Sequence, residues 1–112
     1  MSRIIDLSIF DRPREKAKWF GIDQLSSAEL LAIIINSGTK EESALEIANK
    51  ILQDNCGLVN ISKMSIGQFK NYNGIGDAKA LYLAAAFELH KRINEEQIIG
   101  NNSDTNSEKL AN

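Results

Sequence analysis

The sequence predicts an all-α fold, a small five-helix bundle, and three observations predict it. Apolar residues recur at helical spacing in separate stretches along the chain. Two of these open on a Ser-x-x-Glu/Gln capping box, at Ser26-Ser27-Ala28-Glu29 and at Ser65-Ile66-Gly67-Gln68. The 112 residues hold a single proline and are 43% apolar, enough to bury one core and with little to interrupt a helix.

Arg12-Pro13 places proline where a first helical turn tolerates it, so the first helix runs from Pro13 to Phe20 and ends at Gly21, with Trp19 and Phe20 turned inward as core residues. The second helix follows the Ser26 cap. Leu30, Leu31, Ile33, Ile34 and Ile35 make it apolar nearly all round, as suits the central element of a small bundle. Asn36-Ser37-Gly38-Thr39 breaks it, and Glu42 to Gln53 resumes with Ala44, Leu45, Ile47, Ala48, Ile51 and Leu52 on one face. Leu58 to Met64 reads as a connector with at most one loose turn. Cys56, beside Gly57 at a helix end, reads as a packing residue and has no cysteine to pair with.

The fourth helix starts after Ser65 and carries Ile66, Phe69 and Tyr72. Asn73-Gly74 tolerates positive φ and stops it, Ile75 plugs into the core, and Gly76 leaves the approach to the next helix clear of a side chain. The fifth helix opens at Asp77, runs through Ala78, Leu81, Ala85 and Leu89, and ends near His90-Lys91-Arg92. Its first amides lack intrahelical partners and the helix dipole makes that end partly positive, so the turn is suited to an anion. A dinucleotide site does not fit, because the Gly-x-Gly-x-x-Gly pattern needs a glycine where Lys79 stands and a strand where a capped helix is predicted.

Helix, glycine turn, helix occurs twice, around Gly38 and around Gly74, as in a degenerate tandem pair. Phe69 to Leu83 resembles a helix-hairpin-helix element. The longer run from Gly74-Ile75-Gly76-Asp77-Ala78-Lys79-Ala80 to Glu88-Leu89-His90-Lys91-Arg92 resembles the N-terminal domain of the bacterial RadC-like proteins. Arg12-Pro13-Arg14-Glu15-Lys16 and the stretch from Leu25 to Thr39 fit the same family in the same order. The resemblance implies a helical N-terminal domain followed, in full-length members, by a metal-dependent JAB/MPN-type domain, and a role under the family's DNA-repair label. The paired histidines and downstream Ser/Asp ligands of that second domain have no counterpart here, and His90 is the sole histidine.

The resulting expectation is a non-catalytic DNA-binding accessory domain of a RadC-like DNA repair protein. Gly74, Ile75, Gly76 and Ala78 would hold a phosphate through their amides, with Lys79 beside them, and Lys70, Arg12, Arg14, Ser37 and Thr39 would be secondary contacts. Many DNA-binding hairpins carry Pro-Lys after the turn, whereas Asp77 and Ala78 stand here, so weak binding without sequence specificity is expected. The alternatives are a protein-interaction module, or a regulatory domain for a JAB/MPN-type hydrolase domain. Residues 1–11 read as an N-terminal extension, 12–94 as the domain, and 95–112 as a disordered tail or linker.

The net charge of −2 is unevenly spread: +2 over residues 1–20, −4 over 21–62, +3 over 63–92 and −3 beyond. The positive segments coincide with the first helix and the second glycine turn, so a local basic patch is compatible with an acidic chain. No apolar run is long enough to span a bilayer and residues 1–10 lack the apolar core of a signal peptide, which predicts a cytoplasmic protein without a membrane partner. Ser26 and Ser65 are spent on caps, and Lys79 has no identifiable downstream acid to make it a lyase nucleophile. Neither a cofactor nor a metal is implied.

Overall fold

The computed structural model describes residues 12–111, with side chains through residue 100, and every regular element among them is helical. In chain order these are α1 (Pro13–Phe20), a 3-10 turn (Ile22–Gln24), α2 (Ser27–Ile35), α3 (Ala44–Asn55), α4 (Leu58–Ile61), α5 (Ile66–Lys70) and α6 (Asp77–Ala111). The all-α expectation holds, with six helices among the described residues instead of five. The additional one is α4, expected as a connector; its Ile61 is fully buried, so the short turn closes the core.

Capping chemistry sets most of the starts. The Ser26 hydroxyl accepts from the Glu29 amide at 3.1 Å and the Glu29 carboxylate accepts from the Ser26 amide at 2.8 Å; Ser65 and Gln68 make the same reciprocal pair. A third box, Ser43 with Glu46, starts α3 at Ala44, two residues later than the sequence reading placed it. Glu42 stays in the loop, where its carboxylate pairs with Lys50 and its carbonyl accepts from the Thr39 amide at 2.8 Å. Each such cap stabilises its helix by about 1 kcal/mol.

The core lies between α2, α3 and the first turns of α6. Leu31, Ala32 and Ile35 from α2 meet Ile47, Ala48 and Ile51 from α3, and Ile61, Phe69, Ile75, Ala80 and Leu83 close the other side. Phe69 and Phe87 stack with ring centroids 6.5 Å apart. Ile75 is buried, as a plug below the glycine turn should be.

Four expectations change. Trp19 and Phe20 are 68% and 56% exposed, because α1 packs on the bundle from outside and none of its residues is buried. Cys56 is exposed and acts as a left-handed cap of α3 with φ 57°. Ile66, expected on one side of α5 with Phe69 and Tyr72, is 41% exposed while Phe69 is buried. The last helix does not stop near His90-Lys91-Arg92 but runs to Ala111, past the point where composition suggested a linker. Pairs one turn apart, Arg92 with Glu88 at 3.0 Å and Asn94 with His90 at 3.1 Å, line that extension. Residues 1–11, the expected N-terminal extension, lie outside the described residues.

Candidate functional site

Two glycine turns meet at one end of the bundle. The first begins where α2 ends: Asn36 adopts φ 74° and ψ −55°, and the Ser37 amide donates to the Ile35 carbonyl at 2.9 Å. This is a γ-turn with a positive central φ, the rarer and more strained kind, at one of the residue types that tolerates it. It reverses the chain at once. A Cβ on the next glycine, Gly38, would lie 2.0 Å from the Glu42 carbonyl oxygen, so the loop closes on itself too tightly for any side chain there.

The second turn is Tyr72 to Ile75. The Ile75 amide donates to the Tyr72 carbonyl at 3.0 Å, and Gly74 takes φ 94°, which a residue with a side chain rarely adopts. A Cβ on Gly74 would meet Ile47 at 2.9 Å and the Thr39 methyl at 3.0 Å, so the two turns are in contact through Gly74. Around Gly76, by contrast, nothing lies within 4 Å of a built Cβ. An outside group can therefore approach the start of α6 along this side.

The amides of Gly74, Gly76, Asp77, Ala78 and Lys79 have no acceptor among the described residues, and the first hydrogen bond of α6 is from the Ala80 amide to the Gly76 carbonyl at 3.0 Å. Those of Asp77, Ala78 and Lys79 are the unsatisfied donors of a helix start. The Ile75 amide, included in the expected set, is occupied within the turn, so Ile75 contributes burial and not an open donor. Lys70 to Gly76 line a shallow cleft of about 480 Å³ beside these groups.

The cations around the turn have internal partners. The Lys79 ammonium donates to the Ser37 carbonyl at 2.5 Å and to the Ser37 hydroxyl at 3.2 Å. Lys70 pairs with the exposed Asp77 at 2.5 Å, which holds the Asp77 carboxyl below its ordinary value. Thr39 Oγ1 accepts from the amides of Glu41 and Glu42 at 3.2 and 3.1 Å. Arg14 Nη1 donates to Asn36 Oδ1 at 3.0 Å, and Arg12 makes no ion pair among the described residues. The structure thus brings Ser37 and Thr39 to the second turn, and reaches Arg14 through Asn36. Sequence reasoning missed Asn36; its one signal was an asparagine at a helix end before Ser-Gly, a residue at ease with positive φ.

In the second turn itself, Tyr72 donates its hydroxyl to Asp54 at 2.7 Å, and burial followed by this carboxylate pushes the phenol up. Among the described residues there is no group of three or more His, Cys, Asp or Glu able to hold a metal ion. Nor is any described helix long and apolar enough to cross a membrane.

The model of the UPF0758 N-terminal family matches residues 4–81, which takes in α1 to α5, both glycine turns and the opening of α6. The chain belongs to the UPF0758 family. This is the RadC-like family that the sequence motifs resembled. UPF0758 proteins of Listeria welshimeri, Flavobacterium johnsoniae and Clostridium tetani are 45%, 44% and 38% identical to it over 98, 96 and 109 residues. The matched regions take up 84%, 86% and 97% of this chain but only 44%, 42% and 48% of those relatives, so the UPF0758 domain described here spans less than half of their length. No solved structure matches it.

Proposed function

We propose that this UPF0758 domain is a non-catalytic DNA-binding accessory domain in which α5, the glycine turn and α6 act as a helix-hairpin-helix, holding a backbone phosphate without reading bases. The observation that carries the reading is the set of amides from Gly76 to Lys79 left without acceptors beside an open Gly76. A phosphate there would satisfy several donors at once and lie at the positive end of the α6 dipole. Lys79 supports it with charge: two of the three ammonium protons are engaged by Ser37, leaving one for an incoming oxygen. Asp77 and the internal pairing of Lys70 keep the interaction weak. The role is cytoplasmic and needs no cofactor.

Salt dependence is the test, because phosphate contacts release counterions. Fluorescence anisotropy of labelled DNA should show binding at low salt that weakens steeply at moderate salt. Absence of binding at low salt, or affinity indifferent to salt, would overturn the reading.

A second reading, a protein-interaction or regulatory domain serving a JAB/MPN-type hydrolase domain, is favoured by α6. Tyr82, Leu89 and Ile93 are 60%, 62% and 51% exposed and recur at a spacing that lines them along one helix face. Salt-insensitive binding of such a domain through this face would favour it over the DNA reading.

A further inference from the structure

A second cleft, of about 440 Å³, opens between α1, α2 and the start of α3. Ala32, Ile33 and Ala44 form an apolar floor, and Arg12, Arg14 and Lys18 stand around it. Glu15, the acidic residue of the lining, is 3.5 Å from Lys18, and neither arginine has a carboxylate partner among the described residues. An apolar floor with a few charged groups, at a volume in the ~300–1,000 Å³ range of ligand pockets, is the form of a site for an amphipathic anion.

The position of the cleft narrows that class. Asn36, also part of its lining, accepts from Arg14 at 3.0 Å, and its chain neighbour Ser37 receives Lys79 at 2.5 Å. Arg14, Asn36, Ser37 and Lys79 therefore form an unbroken polar path from the cleft to the phosphate-binding turn. The bond to Asn36 fixes the Arg14 guanidinium and leaves the rest of its fork for an acceptor.

We infer that the cleft takes one unpaired nucleotide of a DNA strand whose backbone also lies on the Gly76–Lys79 amides. The nucleotide's phosphate rests on Arg12 and Arg14, and its base lies against Ala32, Ile33 and Ala44. A paired base cannot enter without being unstacked, which costs free energy, whereas a single-stranded base enters with least penalty. The preferred ligand is thus a duplex with a single-stranded extension. This inference rests on the phosphate-binding reading above.

The test compares one duplex in three forms by anisotropy with the full chain: blunt, with a short overhang, and with the same overhang made abasic. The overhang should bind about fivefold to tenfold tighter than the blunt form, equivalent to about 1–1.4 kcal/mol, and the abasic overhang should lose most of that gain. The double variant Arg12→Gln/Arg14→Gln, checked for folding by circular dichroism, should bring the ratio of overhang to blunt affinity within about twofold of unity, whatever its effect on blunt-duplex binding. Equal binding of blunt and overhang forms would overturn the inference and leave the phosphate reading standing. So would retention of the full gain by the abasic overhang. No binding of any form would overturn both.

Discussion

Lys79 and Ser37, 42 residues apart in sequence, are joined by a 2.5 Å hydrogen bond from the lysine ammonium to the serine carbonyl and a 3.2 Å bond to its hydroxyl. The contact ties the loop after α2 to the first turn of α6 and sets the cation beside the open amides. Replacing Lys79 with Gln should lower stability by only about 1 kcal/mol, as for one charge-assisted hydrogen bond at a partly exposed position. It should weaken DNA binding uniformly across sequences and reduce the salt slope by about 1. Chemical denaturation and a salt titration of affinity check the two halves.

Asp77 competes with an incoming phosphate for Lys70. The pair is largely exposed and contributes little to stability, but its carboxylate stands where negative charge is to arrive. Asp77→Asn should therefore raise DNA affinity by about threefold or more with little change in stability. Loss of affinity in this variant, measured by anisotropy, would contradict the placement of the site.

The glycines divide by what surrounds them. Gly38→Ala should destabilise the fold at the upper end of the usual ~0.5–3 kcal/mol range or beyond, since its Cβ would press into the Glu42 carbonyl. Gly76→Ala should be neutral within about 0.5 kcal/mol, because a Cβ there meets nothing. Gly76→Asp should also fold, yet lose DNA binding. Thermal melts beside binding curves separate these cases.

Glu29 gives a pH prediction. The Ser26 amide is the main cause, with Lys16 at 3.0 Å adding to it, of a carboxyl held below its ordinary value of 4.5. A depressed folded pKa means stability fully present above pH 4.5 and lost as pH falls through the lower folded value. Glu29→Gln keeps a capping acceptor but cannot titrate, so its stability should fall less steeply than the parent's below pH 4.5. Urea midpoints measured at several pH values check this.

How far the sequence could be read follows the range of each interaction. The Ser26 and Ser65 boxes act over three residues, and both named their helix starts correctly. Ile75 could be placed because a lone apolar residue between two glycines has one economical location. Trp19 and Phe20 could not, since whether the end of α1 faces the core depends on how it docks on α2, and the Lys16–Glu29 pair that fastens it spans two elements. Ser43 was overlooked because the apolar spacing let the helix begin at Glu42, and only the closure of Thr39 on Glu42 settles the boundary. At the site, glycine chemistry identified the turn. The engagement of Lys79 by Ser37 and of the Ile75 amide by Tyr72 depends on backbone placement that spacing does not encode.

The central claim concerns backbone amides, and an amide-resolved titration tests it most directly. Isotope-labelled protein titrated with a short DNA duplex at low salt should show its largest proton–nitrogen shifts at Gly74, Gly76, Asp77, Ala78 and Lys79, reversed on adding salt. Shifts confined to the Tyr82, Leu89 and Ile93 face of α6, or no shifts at these turn amides at saturating DNA, would contradict it.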